Sequence, residues 1–215
     1  MITADGSTTI HIPEWDEQYH SKHGAIQEAK HVFIKNGLSL FSNQNISILE
    51  IGFGTGLNCF ITFLEAPKKN LNIDYVGVEA YPIVSEEVAK MNYVNRLNAS
   101  EFSAVFNQIH QQEWEVKIDI SPNFSLLKRK QFFNDINDEN KFDLIYFDAF
   151  GARVQPELWT EEIFEKMYKS LKTGGVLVTY SAKGSVRRAM LAVGFLVEKL
   201  PGPPGKREML RATKK

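Results

Sequence analysis

The feature that most constrains the fold is an apolar, β-branched segment that leads directly into three closely spaced glycines. Residues 46–51 have the composition of a buried strand, and an apolar segment at helical spacing begins at Leu57. Between them lie Gly52, Gly54 and Gly56. Glycines let the backbone turn sharply and approach a ligand closely, beside the N-terminus of the following helix. The segment therefore predicts a nucleotide-binding strand–turn–helix unit, with a tight turn that binds nothing as the alternative.

Strand and helix patterns alternate through the rest of the chain. Further strands are predicted near residues 73–79, 124–128, 142–147, 176–180, 195–199 and 208–212. Helices are predicted near residues 57–65, 85–97, 101–114, 160–171 and 185–194. This alternation predicts an α/β fold with a mostly parallel, doubly wound, seven-stranded sheet that ends in a C-terminal antiparallel hairpin.

The first 45 residues stand outside this alternation. They show a hairpin pattern near residues 8–12 and a helix pattern near residues 25–35. We expect residues 1–45 to form an N-terminal extension packed on a core of residues 46–215, so that the chain is a single structural domain. Its 215 residues are enough for one well-buried domain.

The cysteine count and the apolar runs indicate the compartment. Cys59 is the one cysteine, so no internal disulfide can form, as is usual in a reducing cytosol. No apolar run approaches the roughly 20 residues of a membrane span. The first residues also lack the basic and apolar regions of a signal peptide. A cytoplasmic location without membrane contact is expected.

The charge is distributed unevenly along the chain. Residues 181–215 contain nine basic and two acidic residues and carry +7, so the remainder carries −8 to give the net charge of −1. Such an asymmetry predicts a basic surface at the C-terminal end that could face a polyanion. A solubilising tail is the alternative.

Residues around the glycines narrow the class of nucleotide. A dinucleotide fingerprint requires a third glycine at the position of Leu57, and the Gly-Lys-Ser/Thr sequence of a phosphate loop is absent. Glu79 ends the second predicted core strand, where a carboxylate can accept hydrogen bonds from both ribose hydroxyls of a nucleoside. The alternative for Glu79 is a solvated acid at a strand end.

A second carboxylate is predicted at the same edge of the sheet. Asp148 ends the fourth strand of the doubly wound core, where open α/β sheets bind ligands, and Phe147 and Phe150 make its surroundings apolar. A carboxylate in such a position can accept a proton or a hydrogen bond from a substrate amine. An aspartate that caps a loop or helix is the alternative.

Histidines near the N-terminus raise the question of a metal site. His20, His23 and His31, with Glu28 between them, match no tight metal-binding spacing. No metal is therefore expected, and a structural or RNA-contact role is favoured for these histidines. Cys59 lies on an apolar helix face and is expected to be a buried, inert thiol.

Longer sequence blocks carry a more specific resemblance. The chain resembles the methyltransferases that complete 5-methylaminomethyl-(2-thio)uridine at the tRNA wobble position, the MnmD type, which also forms the N-terminal part of bifunctional MnmC. The blocks that carry the resemblance are residues 19–24, 28, 31–34, 50–58, 77–82, 148–150, 155–159, 182–188 and 201–210. The chain departs from the family at Ala152, where proline is usual. It also lacks, in residues 130–133, the acid with which many class I enzymes bind adenine.

The resemblance implies a Rossmann-like class I fold with S-adenosylmethionine as cofactor. It also implies methyl transfer to the aminomethyl nitrogen of 5-aminomethyl-(2-thio)uridine, with Asp148 as the catalytic residue that accepts the amine proton. The cofactor-binding residues implied by the matching motifs are Glu50, Gly52, Phe53, Gly54, Thr55, Gly56, Asn58, Glu79, Ala80 and Asp148, with Gln131 as the candidate for the adenine contact.

The resemblance further implies a tRNA anticodon region as partner. A tRNA loop is bound through its phosphates and through a base that is splayed out and stacked. Phe150 and Trp159 are the candidates for stacking on the wobble base. The candidates for phosphate contacts are Lys183, Arg187, Arg188, Lys206 and Arg207. Because no FAD-binding oxidase region follows residue 215, the aminomethyl nucleoside is expected to come from other enzymes. The sequence indicates no oligomeric state.

Three other functions remain open. An aminopropyltransferase would share the architecture but would bind a free polyamine in an acidic pocket. A non-catalytic tRNA-binding relative would keep the fold, although the complete glycine loop with Glu79 and Asp148 disfavours it. A NAD-dependent oxidoreductase is the least favoured because of Leu57.

Overall fold

A computed structural model describes residues 1–12 and 17–215. Near the N-terminus, β1 (His11–Ile12) and β2 (Glu17–Gln18) pair in a small antiparallel sheet. The remaining strands are β3 (Gln44–Ile51), β4 (Leu71–Glu79), β5 (Lys117–Ser121), β6 (Phe124–Lys130), β7 (Phe142–Phe147), β8 (Leu171–Thr179), β9 (Leu196–Pro201) and β10 (Glu208–Thr213). The helices are α1 (Ala25–Ala29), α2 (Leu57–Glu65), α3 (Ser85–Val88), α4 (Tyr93–Arg96), α5 (Ser103–Gln111), α6 (Glu161–Ser170) and α7 (Gly184–Ala192).

The central sheet has the order β5-β6-β4-β3-β7-β8-β10-β9. Its five middle strands, from β6 to β8, are parallel, and β10 pairs antiparallel with both β8 and β9. The doubly wound sheet and the C-terminal hairpin are therefore confirmed. The chain order reverses between β3 and β7, so a crevice is expected beyond the carboxyl ends of these two strands.

The predicted number of seven strands is wrong, because the sheet has eight. The additional strand is β5, which pairs antiparallel with β6 at the edge of the sheet through an irregular register. Its sequence, Lys-Ile-Asp-Ile-Ser, leaves every residue exposed or half-buried. An edge strand with so little burial has a weak apolar signal, and the sequence pattern therefore missed it.

Two apolar cores cover the two faces of the sheet. Ile48 packs with α2, α5 and residues of the N-terminal segment, whereas its neighbour Leu49 packs with α6 and α7 on the other face. Successive strand residues point to opposite faces, so a fully buried strand must be apolar at nearly every position. Val32 and Phe33 are buried in the first core, so the N-terminal segment contributes to it directly.

Several helices differ from their predicted extent. The predicted helix near 85–97 is two short helices, α3 and α4, and the helix near 101–114 ends at Gln111. The helix near 25–35 starts as α1 and continues as a π-helical segment, Lys30–Lys35. The predicted cap at Thr160 is confirmed, since its hydroxyl accepts a hydrogen bond from the Ile163 amide at the start of α6. None of the helices in the described part of the chain has the length and hydropathy of a membrane span.

Candidate active site

The glycine loop between β3 and α2 has a strained backbone that only glycine adopts easily. The φ angles are +85° at Gly52, +46° at Gly54 and +68° at Gly56, all in the left-handed region. A Cβ atom on Gly52 would lie 2.6 Å from the backbone oxygen of Asp148. Glycine is therefore needed both for the turn and for the close approach of the end of β7 to the end of β3.

The Glu79 carboxylate, at the end of β4, is fixed by backbone amides. The Gly54 amide donates to Glu79 Oε2 and the Tyr81 amide donates to Oε1, each at 3.0 Å. Burial raises the pKa of Glu79, while these backbone hydrogen bonds act in the opposite direction. Each carboxylate oxygen keeps a lone pair that can accept a ribose hydroxyl.

A buried polar chain leads from the interior of the sheet to Asp148. Asn58 Nδ2 donates to Asp148 Oδ2 at 2.8 Å and to Glu50 Oε1 at 2.9 Å. The Tyr75 hydroxyl donates to Glu50 Oε2 at 2.8 Å. Burial raises the pKa of Glu50 well above its ordinary value, and burial, with the nearby charge of Glu28, raises the pKa of Asp148 to about 7.

These elements enclose a cavity of about 970 Å³. It is lined by ten of the residues predicted to bind cofactor or tRNA: Gly52, Phe53, Gly54, Thr55, Asn58, Glu79, Ala80, Asp148, Phe150 and Lys206. Eight predicted residues do not line it: Glu50, Gly56, Gln131, Trp159, Lys183, Arg187, Arg188 and Arg207. Glu50 is completely buried and accepts a hydrogen bond from Asn58, which lines the cavity. Glu50 therefore affects the site through Asn58. Gly56 instead forms the start of α2.

Residues that follow β6 form another part of the cavity wall. Phe132, Phe133, Asn134 and Asp135 line the cavity, whereas Gln131 does not. Gln131, the predicted adenine contact, therefore lies outside the cavity lining, and residues 132–135 occupy this part of the wall. Residues Phe133–Asp135 form a short 3₁₀ helix, a feature with no clear sequence pattern.

The N-terminal segment supplies a wall of the cavity that the sequence did not assign. Tyr19 packs edge-on against Phe150, with 4.9 Å between ring centroids. The His20 ring lies 3.3 Å from the Thr55 hydroxyl, and burial lowers the pKa of His20 to about 4, so the ring is neutral. Tyr19 and His20 belong to the sequence blocks that carry the family resemblance, which was the available signal. No metal-binding cluster of three or more side chains occurs among the residues that the structure describes.

The two candidates for base stacking have different environments. Trp159 is 5% exposed, its ring packs against Phe147 at 5.0 Å, and its Nε1 donates to the Phe150 oxygen at 2.7 Å. A ring held in the core in this way cannot stack on a base, so the stacking role predicted for Trp159 does not fit its position. Phe150 lines the cavity and remains the candidate for stacking on the base.

The basic candidates also separate into two groups. Lys206 points into the cavity, where its ammonium binds the Glu28 carboxylate and lies 3.8 Å from the centre of the Tyr180 ring. It is therefore misplaced as a surface phosphate contact. Lys183, Arg188 and Arg207 are exposed and Arg187 is half-buried. Within the described residues, no ion pair involves these four side chains.

The residues around the cavity fit the cofactor that the sequence resemblance implies. Glu79 offers two acceptors for a ribose, and the glycine loop leaves room beside it for a nucleoside. Asn58 Oδ1 is buried without a hydrogen-bond partner in the described part of the chain. An unpaired buried acceptor beside a cavity is costly unless a ligand donates to it, as the amino group of a methionine moiety can.

Relatives with the same sequence blocks are known. Two bifunctional proteins named for tRNA 5-methylaminomethyl-2-thiouridine biosynthesis, MnmC, match the chain. The protein from Leptospira interrogans is 30% identical over 98% of the chain and 34% of its own length. The protein from Cupriavidus metallidurans is 29% identical over 97% of the chain and 33% of its own length. The chain thus spans about a third of the length of these curated relatives.

Solved structures share the fold. The crystal structure of MnmC2 from Aquifex aeolicus superposes with a TM-score of 0.80 at 24% identity, over 100% of this chain and 69% of that chain. Spermidine synthase from Thermotoga maritima superposes with a TM-score of 0.58 at 15% identity, over 97% of this chain and 68% of that chain. A family model for S-adenosyl-L-methionine-dependent methyltransferases matches residues 96–215. The glycine loop, the Glu79 carboxylate and this match agree, and the chain belongs to the S-adenosyl-L-methionine-dependent methyltransferases.

Proposed function

We propose that the protein methylates the aminomethyl nitrogen of 5-aminomethyl-(2-thio)uridine at the tRNA wobble position, giving 5-methylaminomethyl-(2-thio)uridine. The observation that carries this proposal is the position of Asp148 in the cavity beside the glycine loop, with a pKa near 7. A carboxylate of that proton affinity suits an amine acceptor at neutral pH. The names of the curated relatives support the nucleoside that we propose.

The acceptor must arrive at the reaction with a free lone pair. A primary aliphatic amine has a pKa of about 10, as lysine does, and is mostly protonated at neutral pH. Asp148 accepts the proton that the nitrogen releases and orients the lone pair, while Asn58 holds the carboxylate in place. When bound, S-adenosylmethionine supplies an electrophilic methyl group, whose bond to sulfur breaks as the bond to nitrogen forms. Positioning of the two reactants contributes several kcal/mol to the rate enhancement.

We further propose that the tRNA anticodon region docks over the cavity mouth. Lys183, Arg187, Arg188 and Arg207 are the candidates for phosphate contacts, since none has an ion-pair partner among the described residues. Phe150 is the candidate for stacking on the splayed wobble base. The cytoplasm, where tRNA is modified, is the proposed location. We also propose that residues 1–45 and 46–215 work as one structural domain, because the N-terminal segment lines the cavity.

A second candidate function is aminopropyl transfer to a polyamine. It is favoured by one observation, the acidic character of the cavity, whose described wall has two lysines and six acidic residues: Glu17, Glu28, Glu79, Asp135, Asp148 and Glu157. Such a wall would attract a polycation as well as the single ammonium of the proposed nucleoside.

One assay separates the two functions. The protein is incubated with S-adenosylmethionine labelled in the methyl group, and the acceptor is tRNA bearing the aminomethyl nucleoside, a polyamine, or none. Label found in the 5-methylaminomethyl nucleoside after tRNA digestion is the expected result. Because an aminopropyl group carries no carboxylate, a parallel reaction contains decarboxylated S-adenosylmethionine as the donor and a polyamine as the acceptor. An extended polyamine in that reaction, with no labelled tRNA in the first, would favour aminopropyl transfer, in which the methyl group stays on sulfur. Asp148→Asn serves as the control for methyl transfer that depends on the site.

A further inference from the structure

An ion pair from two distant parts of the chain forms part of the cavity wall. Glu28 lies in α1, and Lys206 lies in the turn between β9 and β10. The two side chains bind each other, and both line the same cavity as Asp148. Their side chains are 12% and 31% exposed, respectively, so water screens their charges less than it would at the protein surface.

Further contacts fix the orientation of both charges. The Ser21 amide donates to the second carboxylate oxygen of Glu28 at 3.1 Å. The Lys206 ammonium lies over the Tyr180 ring, and the Tyr180 hydroxyl donates to the Ala149 oxygen at 2.8 Å. Ala149 directly follows Asp148 in the chain. The Tyr180 ring therefore connects the ion pair, through Lys206, with the backbone next to the Asp148 carboxylate.

Of the charged side chains that line the cavity in the described part of the chain, Glu28 and Lys206 act on the pKa of Asp148. Glu28 raises its pKa, Lys206 lowers it, and the hydrogen bond from Asn58 lowers it as well. Burial raises the pKa values of Glu50, behind Asn58, and of Tyr180 well above their ordinary values, which favours the neutral form of both groups. Among the described residues, Glu28 and Lys206 are therefore the charged side chains that act on the pKa of Asp148, and they do so with opposite signs.

We propose that the Glu28–Lys206 ion pair sets the protonation of Asp148, so that α1 and the C-terminal hairpin are joint parts of the methyl-transfer site. Glu28 and Lys206 are positioning residues in this scheme, because they act on the reaction through Asp148. The inference rests on the proposed function.

The test is a titration of Asp148 in single variants of each partner. Carbon NMR of the aspartate carboxyl groups gives the titration midpoint, and loss of one signal in Asp148→Asn assigns it. Glu28→Gln removes the negative charge and is expected to lower the midpoint by about one pH unit. Lys206→Met keeps an unbranched apolar side chain but removes the positive charge, and is expected to raise the midpoint by about one pH unit. The double variant is expected to lie between the two single variants.

Matched controls separate this role from a merely structural one. Glu208→Gln breaks the exposed pair with Lys199 in the same hairpin and should leave the midpoint unchanged. Lys206→Arg keeps the charge and should restore a midpoint close to that of the wild type. Thermal unfolding identifies any variant that fails to fold, and the Lys206→Met and Lys206→Arg comparison still tests the proposal if Glu28→Gln is unfolded.

The outcome that overturns the inference is a midpoint that stays unchanged, or moves in the same direction, in Glu28→Gln and Lys206→Met. The midpoint is measured on the protein alone, without an acceptor. A wild-type protein that fails to methylate aminomethyl-tRNA would therefore refute the proposed function and not the electrostatic relationship. Where methyl transfer is observed, the pH at which its rate falls on the acid side should shift together with the NMR midpoint in each variant.

Discussion

Asn58 Nδ2 lies 2.8 Å from Asp148 Oδ2, and the same nitrogen donates to Glu50. One amide group thus connects the fully buried base of the glycine loop with the carboxylate that faces the cavity. A hydrogen bond from a neutral donor favours the charged form of a carboxylate. Asn58 therefore counteracts the burial that raises the pKa of Asp148, and it holds the carboxylate in one orientation.

Replacing Asn58 with leucine should raise the pKa of Asp148 above 7 and slow methyl transfer at pH 7. A lost hydrogen bond to a charged group costs about 1.5–3 kcal/mol, which corresponds to a rate roughly 10- to 100-fold lower. Single-turnover rates across pH 5 to 9 measure the effect. Asn95→Leu, on α4 and away from the cavity lining, is the control. If the pH at which the rate falls on the acid side were the same in Asn58→Leu and the wild type, this role would be contradicted.

The wild-type rate should itself depend on pH through Asp148. With the pKa of Asp148 near 7, the carboxylate form that accepts a proton predominates only above pH 7. The single-turnover rate should therefore rise through pH 7 and be about tenfold below its plateau at pH 6. Asp148→Asn should abolish this limb and reduce the rate by about 10²- to 10⁴-fold. A flat profile in the wild type would show that another group receives the proton.

The raised pKa of Asp148 predicts that the folded protein is less stable at neutral pH than at acid pH. Because Asp148 titrates near pH 7 in the folded protein and near 3.8 when unfolded, the folded chain binds more protons between these values. The free energy of unfolding therefore falls as pH rises from 4 to 7. Asp148→Asn removes the effect and should be more stable than wild type at pH 8 by up to about 4 kcal/mol, with the difference vanishing near pH 4. Urea unfolding at both pH values measures it.

Gly77 leaves the space that the Phe53 ring of the glycine loop occupies. A Cβ atom at this position would lie 2.2 Å from Cδ2 of the Phe53 ring, which packs edge-on against Trp114. Gly77→Ala should displace Phe53, destabilise the fold by about 1–3 kcal/mol and weaken cofactor binding. Gly174→Ala is the control: its φ of +77° strains an alanine and should lower stability, but its Cβ would meet nothing within 4 Å, so affinity should be retained. Calorimetric titration with S-adenosylmethionine distinguishes the two variants.

The parts of the site that the sequence predicted are those that depend on local chain geometry. The turn at Gly52–Gly56 and the carboxylates at Glu79 and Asp148 each follow a strongly apolar strand, and parallel strands end at one edge of the sheet. Their convergence could therefore be expected before the structure was known.

The missed parts depend on packing between distant segments. Glu28 and Lys206 are 178 residues apart, and no pattern in either segment indicates that they pair. Trp159 has the composition of a stacking residue, but the apolar pocket formed by Phe147 and Phe164 buries it. Because burial is decided by the three-dimensional arrangement of whole elements, a single sequence does not distinguish a core tryptophan from an exposed one.

The basic side chains without ion-pair partners give the last prediction, which concerns tRNA. Lys183 precedes α7, Arg188 lies in the middle of this helix, and both are exposed, whereas exposed Lys199 is paired with Glu208. A phosphate contact releases counterions, so each lost contact should reduce the slope of log affinity against log salt by about 0.7–0.9. Replacing Lys183 and Arg188 together with glutamine should therefore flatten the slope by about 1.5, while Lys199→Gln should leave it nearly unchanged. Equal slopes in the double variant and the wild type would remove this face from the tRNA interface, since a surface that contacts phosphates cannot lose two cations without a change in salt dependence.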